Sequence, residues 1–405
     1  MLFFMFIYIM KEIKEDKKGV LRLNILMKNL MIVDKGTSKA TVIILIIIIF
    51  ILVAILVYSV VTKEEQTNRS NPVVSEDYQE VSNNKEVMSS SIEIVPTMQD
   101  TVLGNMAWCG AFQLVWNDMQ DNLVAGDVKF DEPNEMVDNL NKQKFNENSI
   151  SDEYYYKKWG LVSSDLKEEI VDGIKEKFNE KSDILDLFDW TEEDDKYLFY
   201  AMLKRIFEFE NEFTILEKNK FGTEENVEYF GINNQTENSV RNQVEILYYT
   251  DENNFAVILY TKQGDNIMIV RNPEGNTFEE IYANANEKAS NDSGSKAFGE
   301  KDTLSVPNIN LDIMKRYDEL ENKPFKNKDD EPIIISQAYQ TVKMTLDNKG
   351  GAVKSEAGII TQKAVAIDES KPRNFNFNDK FAIFLLNDSN NAYFAANVED
   401  IKDFQ

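Results

Sequence analysis

The chain has 405 residues, 70 of them Asp or Glu against 44 Lys or Arg, for a formal net charge of −26. That charge repels nucleic acid and anionic headgroups, so the chain is read as making no nucleic-acid contact and as favouring cationic partners. With Cys109 as the one cysteine and no histidine, it can form neither an intramolecular disulfide nor a thiolate-rich metal site. Ser-His-Asp and Cys-His nucleophiles are excluded too, and no metal, cofactor or enzyme activity is expected.

In chain order, residues 1–39 carry eight Lys/Arg and four Asp/Glu and precede Ala40–Val61, 22 uncharged residues dominated by Ile, Leu and Val. At 1.5 Å per residue this run spans a bilayer core of about 30 Å. No small-x-small cleavage site follows, so residues 40–61 are read as a single transmembrane signal anchor. The basic excess before the span places residues 1–39 in the cytoplasm and everything after it outside. Residues 62–97, with Pro72, Pro96 and Ser89-Ser90-Ser91, read as a flexible stalk, and residues 98–405 as an extracytoplasmic, monomeric domain. Abundant Lys, Asn and Ile fit an AT-rich bacterial genome.

Within the domain, Trp108, Phe112, Val115, Trp116, Met119 and Leu123 recur at helical spacing. So do Leu166, Ile170, Val171, Ile174 and Phe178, behind a capping pair at Asp165 and Glu168. Beyond Phe207 the texture changes to β-branched and alternating runs: Val244–Tyr249, Phe255–Tyr260, Ile267–Val270, Ile333–Leu346 and Phe381–Leu386. Helices followed by many strands predict an α+β domain with mostly antiparallel sheets. Residues 284–302, rich in Asn, Ser, Gly and Lys, predict a mobile loop. The acidic cluster Asp183, Asp186, Asp189 and Glu192–Asp195 has no calcium-loop glycine and reads as a solvated face. Cys109, in Trp-Cys-Gly-Ala-Phe, has no base to make a thiolate and reads as a small buried residue. Gly350-Gly351 lacks the lysine and hydroxyl partners of a phosphate loop.

Four stretches, at Ile333–Gly350, Phe377–Phe394, Gln243–Tyr260 and Leu304–Ile309, together resemble the serpin family of protease inhibitors. Ile333–Val342 with Met344, Leu346, Asp347 and Gly350 is similar to the strand leading into the serpin reactive loop. Phe377–Phe381 with Ala382–Leu386 and Tyr393-Phe394 resembles the C-terminal strand pair. Gln243–Tyr249 with Phe255–Tyr260 resembles the central hairpin, and Leu304–Ile309 a short strand of the family. The likeness runs from about Tyr197 to Gln405. Residues 98–196 lack the Ser-Pro-Leu-Ser signature, Tyr248 and Lys380 stand where the family has proline, Gln340 where it has histidine, and Asn348 where it has glutamate.

The resemblance implies a serpin-like fold, with a helical first half, large mixed or antiparallel sheets and an exposed reactive loop at about residues 350–377. It implies a bait bond at Lys363-Ala364, with Lys371 and Arg373 as secondary candidates. It implies a hinge at Gly350, Gly351, Ala352, Val353, Lys354, Ser355, Glu356 and Ala357, which enters a sheet after cleavage. Strand alternation would turn Gly351, Val353, Ser355 and Ala357 inward and the three residues between them outward. Two functions stay open: a membrane-anchored suicide inhibitor of extracellular serine or cysteine proteases, and a non-inhibitory surface binding module. An acid-using hydrolase is a third, for which no carboxylate pair stands out.

Overall fold

The longest unbroken apolar runs become the centre of the fold. Ile267–Val270 and Phe381–Leu386 show no polar alternation, which suits strands covered on both faces. All of these residues are buried. The computed structural model describes residues 92–193, 196–352 and 372–405. The chain divides into Met1–Lys85 and Glu86–Gln405. Every described strand finds its partners inside the second unit, which therefore carries its own core. The anchor at 40–61 lies outside the described residues. Among the described residues no helix is long and apolar enough to cross a membrane.

The strands, in chain order, begin with β1 Glu93–Val95, β2 Met106–Cys109, β3 Tyr155–Leu161, β4 Tyr197–Leu203 and β5 Ile206–Glu208. Then come β6 Thr214–Ile215, β7 Asn219–Phe221, β8 Glu224–Val227, β9 Tyr229–Ile232, β10 Val244–Asp251, β11 Asn254–Tyr260 and β12 Asn266–Arg271. The remainder are β13 Thr303–Pro307, β14 Ile309–Arg316, β15 Pro324–Lys326, β16 Pro332–Ile334, β17 Tyr339–Leu346, β18 Gly350–Ala352, β19 Asn374–Asn376, β20 Phe381–Leu386 and β21 Ala392–Val398. The α-helices are α1 Ala111–Met119, α2 Glu135–Asn141, α3 Ser164–Phe178, α4 Asn238–Arg241 and α5 Phe278–Asn291.

A seven-stranded sheet runs β1-β2-β21-β20-β12-β11-β10, antiparallel except for the parallel β1–β2 edge. One face takes Phe278 and Tyr282 of α5 against Phe384 at ring separations of 6.1 and 5.4 Å. Phe255 meets Phe375 and Phe377 at 5.2 and 4.9 Å, tying the sheet to the segment around β19. That segment belongs to a second sheet, β19-β13-β9-β6. A third, β14-β17-β18-β5, and the pair β3–β4 form the sheet system that carries the candidate site.

Helix α3 follows from its sequence. Leu166, Ile170, Ile174 and Phe178 fall on one buried face, and the N-cap is Ser163, whose hydroxyl accepts from Leu166 N at 3.1 Å, rather than the Asp165–Glu168 pair. Gly173 costs about 1 kcal/mol of helix propensity. It is needed because a Cβ there would overlap the Tyr156 ring on β3.

Several expectations change. The first half is not purely helical: Trp108 lies in β2, the helix begins only at Ala111, and β3 and β4 sit among the helices. Strand β2 is claimed by β21, nearly 300 residues downstream, a pairing that local periodicity does not show. The fold also takes in residues before Met98, since Ile92 and Ile94 are buried and Glu93–Val95 pairs with Met106–Trp108. Much of the expected loop at 284–302 is helix, because Phe278, Ile281 and Ala285 make a buried stripe behind the Thr277 N-cap. The polar residues there are that helix's outer face.

Candidate functional site

Strand β17 alternates strictly, with Gln340, Val342, Met344 and Leu346 inward, and pairs along its whole length with β14, from Ile309↔Leu346 to Arg316↔Tyr339. On its other side it meets β18 only at Thr345 and Leu346. Residues 339–344 of that edge have no strand partner among the described residues. Strand β4 pairs with β3, from Tyr155↔Leu203 to Leu161↔Tyr197. Two residues, Lys204 and Arg205, separate it from β5, which continues upward and pairs with β18 at Gly350↔Glu208, Gly351↔Phe207 and Ala352↔Ile206. Among the described residues the sheet is open between β4 and β17, below β18: a cavity of about 620 Å3 is lined by Tyr197–Leu203 on one bank and Ser336–Thr341 on the other.

The floor of this slot is α1, which presents Phe112, Val115, Trp116 and Met119. The roof is a strap, residues 179–190, that fastens to both banks. On the β4 side Tyr200 donates to Ser182 Oγ at 3.1 Å. Toward β17, Asp189 N donates to Gln337 Oε1 at 2.7 Å, Phe188 meets Tyr339 edge-on at 5.4 Å, and Lys343 pairs with Asp183 at 3.3 Å. Lys196 grips Asp189 at 2.6 Å, and with Thr191 it holds that carboxyl well below the usual carboxylate range.

The top of the slot is built on two glycines. Gly350 has φ +146°, and a Cβ there would overlap the carbonyl of Phe207. On Gly351 a Cβ would strike Thr345 O and the Phe207 ring, so only glycine lets β18 lie between its neighbours. Asp347 closes the β17–β18 turn, accepting from Lys349 N at 2.8 Å, and Phe209 and Phe213 N–H groups bind Lys349 O and Asn348 O at 2.8 Å.

Behind the slot, buried Gln340 donates to Cys109 O at 3.0 Å and accepts from Tyr317 OH at 2.7 Å, coupling β17 to the start of α1 without a histidine. Burial pushes the Cys109 thiol up to about 11, so it stays protonated and unreactive at neutral pH. At the β4–β5 break, Arg205 and Asp265 form a fully buried ion pair. Its guanidinium stacks on Tyr154 at 3.9 Å, and Tyr393 donates to Asp265 at 3.0 Å. Burial raises the Asp265 carboxyl above its ordinary value, while Arg205 and Tyr393 oppose the rise.

Of the hinge residues, Gly350, Gly351 and Ala352 form β18, already paired in the sheet beside the strand they follow. Val353, Lys354, Ser355, Glu356 and Ala357, the bait Lys363 and Ala364, and Lys371 lie outside the described residues. Arg373 does not have the free side chain a bait needs. It forks Asp302 at 2.7 Å and donates to Ser295 O and Ala297 O at 3.0 Å, pinning the far end of the loop to β13. Of the acidic cluster, Asp183, Asp186 and Asp189 belong to the strap, where Asp183 and Asp189 pair with Lys343 and Lys196. Sequence reasoning missed the Arg205–Asp265 pair and Gln337. For Arg205 a signal existed, the charged pair Lys204-Arg205 interrupting the apolar stretch Tyr197–Phe207.

No family model matches the sequence, and no curated protein sequence matches it. Among solved structures it is similar to human thyroxine-binding globulin, at 14% identity over 58% of this chain and 63% of that one, with a TM-score of 0.36. This chain thus spans under two thirds of that protein's length. It is also similar to Serpin48, a highly specific serpin of the insect Tenebrio molitor, at 12% identity over 73% of this chain and 92% of that one, TM-score 0.39. Human glycosylated kallistatin is similar at 13% identity over 72% and 95%, TM-score 0.39.

Proposed function

We propose that the domain is a strand-insertion trap for extracellular serine or cysteine proteases, displayed at the cell surface of a bacterium by the anchor at residues 40–61. The observation that carries this reading is the open slot: two strand edges, at 197–203 and 339–344, face each other across a cavity already seeded at its top by β18. Unpaired edges invite another strand. Continuing the registers of β18 would set Val353 opposite Met344 and Arg205, Ser355 opposite Val342 and Leu203, and Ala357 opposite Gln340 and Ala201. Residues opposite one another share a face, so small or apolar side chains would go inward, as β17 requires.

In this scheme a protease cuts near Lys363-Ala364. The released arm zips down the slot before the acyl-enzyme is hydrolysed, while Arg373 keeps the downstream segment in place. Each new backbone hydrogen bond contributes about 1 kcal/mol. Nicking the loop should then raise the melting temperature by on the order of 10 °C or more. The check is to treat the Glu86–Gln405 unit with trypsin-like and subtilisin-like proteases. A protease complex that survives denaturing electrophoresis supports the trap. Clean cleavage with an unchanged melting temperature would remove it.

The second reading, a non-inhibitory binding module, draws on one observation. Carried on from β18, the same register would set Lys354 opposite Lys343 and Lys204, and like charges opposite one another disfavour pairing. Slow insertion loses the race to hydrolysis, and that outcome appears as cleavage without complex. Protease treatment of intact cells from outside tests the topology: survival of the domain would reverse the orientation.

A further inference from the structure

The cavity has a chemistry that a peptide strand alone does not explain. Protein interiors rarely keep voids larger than a water molecule, whereas apolar, aromatic-walled cavities of roughly 300–1,000 Å3 hold small molecules. At about 620 Å3 this one falls in that class, and aromatic side chains come at it from several directions. Phe112 and Trp116 rise from α1, Phe199 lines the β4 bank, Phe188 and Trp190 hang from the strap and the segment that follows it, and Phe325 contributes from β15.

Its rim is different. The charged side chains of the lining are Asp183, Asp189, Glu193 and Lys196. The carboxylate side chains at the rim are between 30% and 59% exposed, so they mark the side that opens to solvent. Three carboxylates meet two ammoniums, Lys196 at 2.6 Å from Asp189 and Lys343 at 3.3 Å from Asp183, with Glu193 farther off at 3.9 Å from Lys196, so the rim keeps one negative charge in excess. Aromatic walls beneath an acidic rim favour a cation whose ring system is apolar, because the ring faces and the carboxylates attract the same charge.

We propose that this cavity binds a cationic aromatic amphiphile, with its flat body between Trp116 and the strap and its positive group at the Asp183–Glu193 rim. The inference rests on the cavity and not on the trap. If the trap reading also holds, ligand and inserted strand compete for one space, and the ligand would hold the sheet in its open state.

The test titrates the Glu86–Gln405 unit with thioflavin T, a flat monocation, and with an anionic anilinonaphthalene sulfonate, following tryptophan quenching. The expected result is one saturable site that prefers the cation by about fivefold or more, the scale of one partly exposed charge pair. Glu193→Lys should erase or reverse that preference. Val115→Trp, which fills the cavity from its floor, should abolish binding, with Leu123→Trp in reserve if the first variant does not fold. Absent binding, unsaturable binding, equal affinity for both dyes, or retained binding in a folded cavity-filled variant overturns the proposal. Failure of the trap is read elsewhere, in the melting temperature after nicking, so the two ideas fall separately.

Discussion

The seven-stranded sheet and the slotted sheet use the same strand-forming residues and end in opposite conditions. In the first, β12 and β20 are buried on both faces and paired on both edges, from Asn266↔Leu386 to Arg271↔Phe381. In the second, β17 is satisfied along β14 but stands open over residues 339–344, with half-buried side chains on its outer face. Closing every edge fixes one structure. Leaving one unpaired stores a place for something else, and the difference is a matter of pairing rather than of composition.

The sharpest way to break this contrast is to truncate one aromatic in each sheet. Phe384→Ala, which empties a fully buried site against Phe278 and Tyr282, should cost about 3–5 kcal/mol, measured by denaturant unfolding. Phe199→Ala on the slot bank, already half-buried beside the cavity, should cost about 1 kcal/mol or less. Equal costs would mean that the slot is as tightly packed as the core.

Next in size is Gly351→Ala. The added methyl collides with Thr345 O and Phe207, so it should destabilise by about 1–3 kcal/mol. Hydrogen exchange should show β18 released from β5 while β12 and β20 stay protected. Protection lost evenly in both sheets would show that the hinge is not a local joint.

The smallest effect is on the strap. Lys196 and Thr191 lower the Asp189 carboxyl below its ordinary 3.8. A lowered acid stabilises the fold fully above that value and gives up its contribution as pH falls through and below it. Exchange protection of residues 180–193 should therefore weaken near pH 3 relative to pH 5, corrected for intrinsic rates, with β20 unchanged. A strap indifferent to acid would place its hold in Phe188 and Tyr339 instead of the ion pair.

The sequence foretold these two sheets unequally. Runs such as Phe255–Tyr260, Ile267–Val270 and Phe381–Leu386 announced their strands because burial on both faces leaves an unbroken apolar signature. The run Ile333–Leu346 announced β17, but the structure splits it: Pro332–Ile334 pairs with β15 and only Tyr339–Leu346 becomes β17. The glycine pair marked the turn into β18, although the collision that demands it depends on Phe207, more than 140 residues away. What stayed hidden was set by distance along the chain. The strap is a run of ordinary acidic loop residues until Gln337 and Lys343 come to meet it. Strand β2 looked like the start of a helix until β21 claimed it. The Arg205–Asp265 pair joins residues that are far apart and individually unremarked.

The order of pairing also says something about how the molecule is made. Strands β20 and β21, the last long strands to be synthesised, lie in the middle of the seven-stranded sheet, holding β12 on one side and β2 on the other. Until they emerge, β2 and β12 have no strand between them to join them in this sheet. A nascent chain must wait with both of those edges bare, and a premature stop before Phe381 would leave the sheet without its centre.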